Sequence, residues 1–236
     1  MKSIKEKIYH KLINNELRYN TKSIVRYGKN SNKNIRNSNT NKISRLEKLK
    51  NQISSIKNCD LKNNATNIVF ADGNPNASIM IIGEGPGANE DKEGKPFVGR
   101  AGKLLDKMLE AIKLNRKNVY ISNVVNFRPP MNRRPTDNEI NRYLPFLNKH
   151  IEIINPKILL LLGSTALNAL IGNEVVISKA RGKWVSKKIG STNLEVISSF
   201  HPAFLMRQPD QKKYAWEDLK MIRKKISQLK IKLNGK

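Results

Sequence analysis

Four short apolar runs constrain the fold of this chain more than any other feature. SIMIIG at 78–83, VYISN at 119–123, KILLLLG at 157–163 and LEVISS at 194–199 are bounded by Gly, Asn or Pro, as strands buried on both faces should be. Between the first two lies RAGKLLDKMLEAIKL, whose Leu104, Leu105, Met108, Leu109 and Ile112 share one helical face. Between the second and third lies TDNEINRYLPFLNKHIEII, opened by Thr136 and Glu139 at capping-box spacing and predicted to kink at Pro145. Strands alternating with helices imply an α/β fold, a three-layer α/β/α sandwich around a central, mostly parallel four-stranded sheet.

Open sheets of this kind bind ligands beyond the carboxyl ends of their strands. Topology alone would therefore gather the loop Gly83 to Asp91, Asn123, Gly163, Ser164 and His201 at one rim. The rest of the chain divides at about residue 55: residues 1–55 form a basic Asn/Lys-rich extension, partly helical, and residues 56–236 the α/β domain. NSNKNIRNSNTN at 30–41 is low in apolar residues and reads as a mobile linker. Apolar spacing at Ile4, Ile8, Leu12 and Ile13 before it, and at Ile43, Leu46, Leu49 and Ile53 after it, predicts two flanking amphipathic helices.

Charge narrows the partner. Lys and Arg number 45 against 19 acids, a formal charge of +26, which suits a polyanion because each neutralised phosphate releases counterions. Residues 1–50 hold 14 of the bases and 3 of the acids. They read either as an arm that grips DNA or as compositional drift toward Lys and Asn. No apolar run reaches the ~20 residues of a spanning helix, and MKSIKEKIYHKL lacks the apolar core of a secretory signal. On charge alone the partner is nucleic acid, with anionic membrane or ribosomal RNA as the alternatives; the resemblance carried by the motifs below implies DNA and no membrane, for a cytoplasmic monomer that is nucleoid-associated when acting. Cys59 is the only cysteine, which rules out an intramolecular disulfide and a multi-thiolate metal site.

GEGPGA at 83–88 formally satisfies a dinucleotide fingerprint, but the context fails. Such a site needs a helix opening at the glycines, whereas here the polar NEDKEGKPFVG intervenes before any helical period begins. A glycine-rich turn carrying Glu84, Glu90 and Asp91 suits instead a site where backbone approaches a flat ligand and carboxylates handle water.

Taken together, ATNIVFADGNPNASIMIIGEGPGANED, GKPFVGRAGKLLDKML, YISNVV followed by RPPMNRRPT, LLLLGSTALNALIG and FHPAFLMRQPDQKK resemble the family 4 uracil-DNA glycosylases over residues 56–225. The resemblance implies that uracil swung out of DNA stacks on Phe97, that Asn123 bonds its Watson–Crick edge, and that His201 lies beside its O2. Gly85 would line the pocket floor. Glu84 and Glu90 would serve the attacking water and the sugar, with Asp91 able to share that work. HPAFLMR would enter the minor groove, stiffened by Pro202, with Leu205 or Met206 as an apolar wedge. Arg207, Lys212 and Lys213 would hold phosphates, with Asn132, Arg133 and Arg181 also near DNA. The family usually carries a [4Fe–4S] cluster on four cysteines. Those positions are here Ile56, Cys59, Phe127 and Tyr143, so the expectation is no cofactor, with packing in place of the cluster. The competing reading is a catalytically degenerate homologue that binds DNA without cutting it.

Overall fold

A computed structural model describes residues 31–172 and 175–233. The four apolar runs become β2 (Ile79–Gly83), β3 (Tyr120–Asn123), β4 (Ile158–Leu162) and β6 (Thr192–Ser199). They are mutually parallel, in spatial order β3-β2-β4-β6. Every residue of β2, β3 and β4 is buried, as a sheet covered on both faces requires.

The sheet has six strands rather than the four expected. Two antiparallel edge strands complete it, β1 (Asp72–Gly73) beside β3 and β5 (Trp184–Ile189) beside β6. The two-residue β1 is too short to leave a pattern. In β5 the apolar alternation is broken by Lys187 and Lys188, charges that suit a solvent-facing edge.

Helices cover both faces. On one face, α4 (Arg100–Ala111) buries Leu105, Met108 and Leu109 beside α9 (Lys212–Gln228), which buries Leu219, Ile222 and Ile226. On the other lies α5 (Asp137–Ile154), whose predicted capping box between Thr136 and Glu139 is present. That helix runs on through Pro145. Pro145 and Asn141 are both exposed, so the Asn141 carbonyl deprived of a partner meets water and the continuity costs little.

The expected linker is overturned. Residues from Ser31 onward are helical, in a single helix α1 (Ser31–Ser54). Its second half is anchored by Leu46, Leu49 and Ile53, which are buried in the same core as Met80, Leu159 and Tyr143, and a helix anchored in this way propagates readily through Asn and Lys. These core residues belong to the stretch read as an extension, and the compact unit that carries the sheet begins at Asn37. Ile43 is exposed and takes no part. The helix expected around Ile4 to Ile13, like the rest of residues 1–30, lies outside the described residues. Among the described residues, no helix is long and apolar enough to cross a membrane.

Candidate active site

The registers Gly83 with Asn123 and Leu162 with Ser199 align the carboxyl ends of the four parallel strands along one rim. A cavity of about 190 Å³ opens there, lined by Glu84, Gly85, Glu90, Phe97, Asn123 and His201 together with Pro129, Asn132 and Arg133. A larger groove of about 500 Å³ adjoins it, sharing Glu84, Asn132, His201 and Ala203 and adding Ser164, Phe204 and Arg207.

Phe97 is buried and has a left-handed backbone, φ 56°, a conformation that disfavours residues with a Cβ. Its surroundings hold it there. Arg116 donates to the Phe97 carbonyl and, at 3.2 Å, to that of Pro96, and is itself fixed by Asp72 at 2.6 Å and Asp106 at 2.9 Å. Glu90 Oε1 accepts from the next two amides, Val98 at 2.9 Å and Gly99 at 2.8 Å. Gly102 must be glycine, since a Cβ there would lie 1.8 Å from the Phe97 carbonyl oxygen. Likewise a Cβ on Gly83 would fall 2.5 Å from both the Phe97 ring and Asn123 Oδ1.

Asn123 ends β3 and is buried, and its Oδ1 has no hydrogen-bond partner. Buried polar atoms are nearly always paired, so an orphan acceptor on a residue that lines the cavity makes Asn123 a candidate partner for a ligand donor. His201 caps the short helix α8 (Pro202–Arg207) by accepting at Nδ1 from the Ala203 amide, 3.2 Å away. A backbone N–H can only donate, so Nδ1 is the acceptor and the neutral ring carries its proton on Nε2. Burial, helped by the Arg207 charge and opposed by Glu90, pushes the His201 pKa down to about 4. The ring centroids of His201 and Phe97 are 5.6 Å apart.

The carboxylates divide by geometry. Glu84 lines both cavities and is half-exposed. Its Oε2 accepts from the Thr165 hydroxyl, which in turn accepts from Arg134 Nε at 2.8 Å. Arg134 also donates to Ser164 Oγ at 2.9 Å and lies 3.7 Å from the Glu84 carboxylate. Glu90 lines the cavity but spends both oxygens on backbone, since Oε2 accepts from Gly87 N at 3.1 Å. These bonds hold the Phe97 turn in place and leave Glu90 less accepting capacity for water than a free carboxylate has. Asp91 does not line the cavity. It is buried, with Oδ1 accepting from Thr66 N at 2.9 Å and Asn67 N at 3.1 Å, which removes it from the shared role.

The DNA-facing residues also sort. Leu205 is 1 % exposed and packed in the core, because α8 turns the expected loop into a helix whose inner face carries Pro202 and Leu205. It is not available as a wedge. Met206 is half-buried, and Arg207, Lys212 and Lys213 are exposed. Asn132 accepts from Arg128 Nε at 2.8 Å at the cavity rim. Arg133 makes a two-pronged pair with Glu139, 2.6 and 2.8 Å, and Arg181 is bound to the fully buried Asp218. Both guanidiniums are thus anchored on protein; Arg133 stays exposed at the cavity rim with N–H donors to spare, whereas Arg181 is largely covered.

Cys59, Phe127 and Tyr143 belong to one buried core, with half-buried Ile56 packed against that core, and Cys59 Sγ lies 3.4 Å from Tyr143 Oη. One thiol, one phenol and two hydrocarbon side chains do not fit an iron–sulfur cluster. Among the described residues, no group of three or more His, Cys, Asp or Glu side chains converges elsewhere.

With this geometry in view, residues 70–220 match the uracil DNA glycosylase superfamily. A type-4 uracil-DNA glycosylase of Sulfurisphaera tokodaii is 44% identical over 183 residues, 75% of this chain and 83% of that protein. One from Thermotoga maritima is 43% identical over 166 residues, 69% and 83% respectively. The chain belongs to this family. A type-5 uracil-DNA glycosylase of Pyrobaculum aerophilum is more distant, 26% identical over 146 residues, 56% of this chain and 63% of that protein.

Sequence reasoning missed Arg116, Arg134 and Thr165. Arg116 and Thr165 carry no local signal, because their partners are distant in the chain. Arg134 lies within RPPMNRRPT and differs from Arg133 only in what the fold sets before it.

Proposed function

We propose that this family member is a DNA-repair glycosylase that hydrolyses the N-glycosidic bond of uracil in DNA and leaves an abasic site. The observation that carries the reading is the joint lining of one cavity by Phe97, Asn123 and His201, with the Asn123 acceptor buried and unpartnered. A base inside duplex DNA is unreachable, so it must be swung out, stacked on an aromatic face and read by hydrogen bonds. The Asn123 amide accepts from uracil N3–H and donates to O4; cytosine presents the opposite pattern at both atoms and is refused.

As the bond from N1 to C1′ breaks, its electron pair leaves with uracil and positive charge develops on the sugar. The Nε2–H of His201 donates to O2, where negative charge accumulates, and a neutral donor does this without first attracting a counter-ion. Glu84 lies on the cavity wall with Oε2 committed and Oε1 available, which supports a role in orienting the water and balancing the sugar's charge. Water then adds to C1′, and the proton it loses ends on the departed uracil anion, directly or through solvent. Packing around Cys59 and Tyr143 takes the structural place of the cluster, and no cofactor is required.

The test uses labelled oligonucleotides with U opposite A, U opposite G, or unpaired U, treated with alkali after incubation. Wild type cuts, and His201→Ala loses about 10²–10³ in rate, as for removal of one oxyanion donor, with Asn123→Ala also strongly impaired. Tight binding without cutting by wild type would establish the degenerate homologue instead.

A further inference from the structure

With Leu205 locked in the core, the rim carries another apolar side chain in its stead. Met131 is 92 % exposed. It lies in the one-turn segment Pro130–Asn132, between Pro129 on one side and Asn132 and Arg133 on the other, all three of which line the base-sized cavity.

Single exposed apolar residues are ordinary, but two features set this one apart. The first is its backbone: Met131 has φ 52° and Asn132 φ 56°, a left-handed pair in a region that residues with a Cβ rarely enter. The second is that the turn is pinned in this conformation. Two prolines precede Met131, Asn132 N donates to Pro129 O and Arg133 N to Pro130 O, each at 3.1 Å, Arg128 grips Asn132, and Arg133 is clamped on Glu139. A loop free to relax would shed the strain and fold the methionine inward. Backbone outliers held by over-determined surroundings concentrate where a ligand is engaged.

We propose that Met131 is an apolar wedge that enters the base stack of duplex DNA at the place left by the swung-out nucleotide. An unbranched thioether adapts to an irregular gap between bases, and Arg128, the half-exposed Arg134 and the exposed Arg207 supply positive charge around it for the flanking phosphates. The inference rests on the uracil reading only for the choice of lesion. Single-stranded DNA has no stack to hold open, so the wedge matters for duplex substrates alone.

The experiment compares wild type with Met131→Gly, which suits the left-handed backbone and so does not threaten the fold, and Met131→Leu, which keeps apolar bulk. Two quantities are read: single-turnover cutting of U in duplex against single-stranded DNA, and anisotropy-measured preference for a duplex holding a tetrahydrofuran abasic analogue over an intact duplex. For Met131→Gly the expected loss is about tenfold or more on duplex, with single-strand cutting within about twofold and most of the abasic preference gone, as for removal of an intercalating side chain. Met131→Leu retains both. Equal effects on the two strand types, or an unaltered abasic preference in Met131→Gly, overturns the wedge. Because the binding arm needs no chemistry, a wild type that cuts nothing yet loses its abasic preference on Met131→Gly sinks the uracil reading and leaves the wedge standing.

Discussion

The protonation state of His201 yields a prediction that separates a buried neutral donor from an ordinary histidine. With a pKa near 4, the ring is about 90% neutral even at pH 5; at the ordinary value of 6.5 it would be only about 3% neutral there. If the neutral Nε2–H is the form that meets uracil O2, the cleavage step should change by less than about twofold between pH 7.5 and 5. The imidazolium alternative gives the opposite profile, rising as pH falls through 6.5. A neutral but unshifted histidine loses about 30-fold over that interval. The assay is single-turnover cutting of unpaired U, with enzyme in excess, in buffers of constant ionic strength. Circular dichroism at each pH confirms that the chain stays folded. A rate that tracks a group titrating near 6.5, in either direction, refutes the assignment of a neutral donor with a lowered pKa.

Leu205→Ala should destabilise the protein by about 2–5 kcal/mol, the cost of a large-to-small change in a packed core, whereas Met206→Ala, read by the same urea unfolding, should cost well under half of that. Thr165→Val breaks the relay from Arg134 to Glu84 and should lower the single-turnover rate by about tenfold, the scale of one lost charge-assisted hydrogen bond. Its KM should hardly move, and an unchanged rate would show that Glu84 needs no anchoring. Gly83→Ala forces a Cβ into the space of Phe97 and Asn123 and should weaken uracil-DNA cutting far more than it lowers the melting temperature. His150 is buried against Tyr120 Oη at 2.9 Å with its pKa pushed down to about 3. The unfolded chain therefore binds that proton first, and stability should drop as pH falls below 6.5, a loss that His150→Phe abolishes. Protein purified without oxygen should contain no stoichiometric iron, by metal analysis and by the visible spectrum.

The legible part of this molecule is the part in which sequence neighbours do the work. Buried parallel strands announce themselves as unbroken apolar runs, and the rim they share follows from topology. That is why Glu84, Asn123 and His201, separated by up to 117 positions in the chain, could be expected at one rim, to which the family resemblance added Phe97; all four line one cavity. The helix cap at Thr136 was legible for the same reason, since both its partners lie within four residues. Edge strand β5 was not, because its outer face is dressed in lysine. Only the first part of α1 was hidden by composition: the apolar spacing of Leu46, Leu49 and Ile53 announced its second half, whereas the Asn-rich residues 31–41 form helix poorly taken alone and continue a helix anchored elsewhere.

Roles within the site were less legible than membership of it. Glu84, Glu90 and Asp91 lie within eight residues and share a chemistry, yet the fold assigns them three tasks. Which one remains free is decided by the amides of Gly87, Val98, Gly99, Thr66 and Asn67, and by a hydroxyl from Thr165. The same logic governs the arginines. Arg133 and Arg134 are adjacent and chemically identical, but Glu139 takes the first and Thr165 with Ser164 the second. A carboxylate is available to a substrate only after the backbone has been served, because leaving a buried amide unpaired costs about 1–3 kcal/mol. It follows that Glu90→Gln, which keeps one acceptor oxygen but sets an NH2 against a backbone N–H that needs an acceptor, should act through the Phe97 turn. Its defect should resemble that of a displaced stacking ring, weaker uracil binding with a near-normal cleavage step once bound, and a selective loss of the cleavage step would instead return Glu90 to the water.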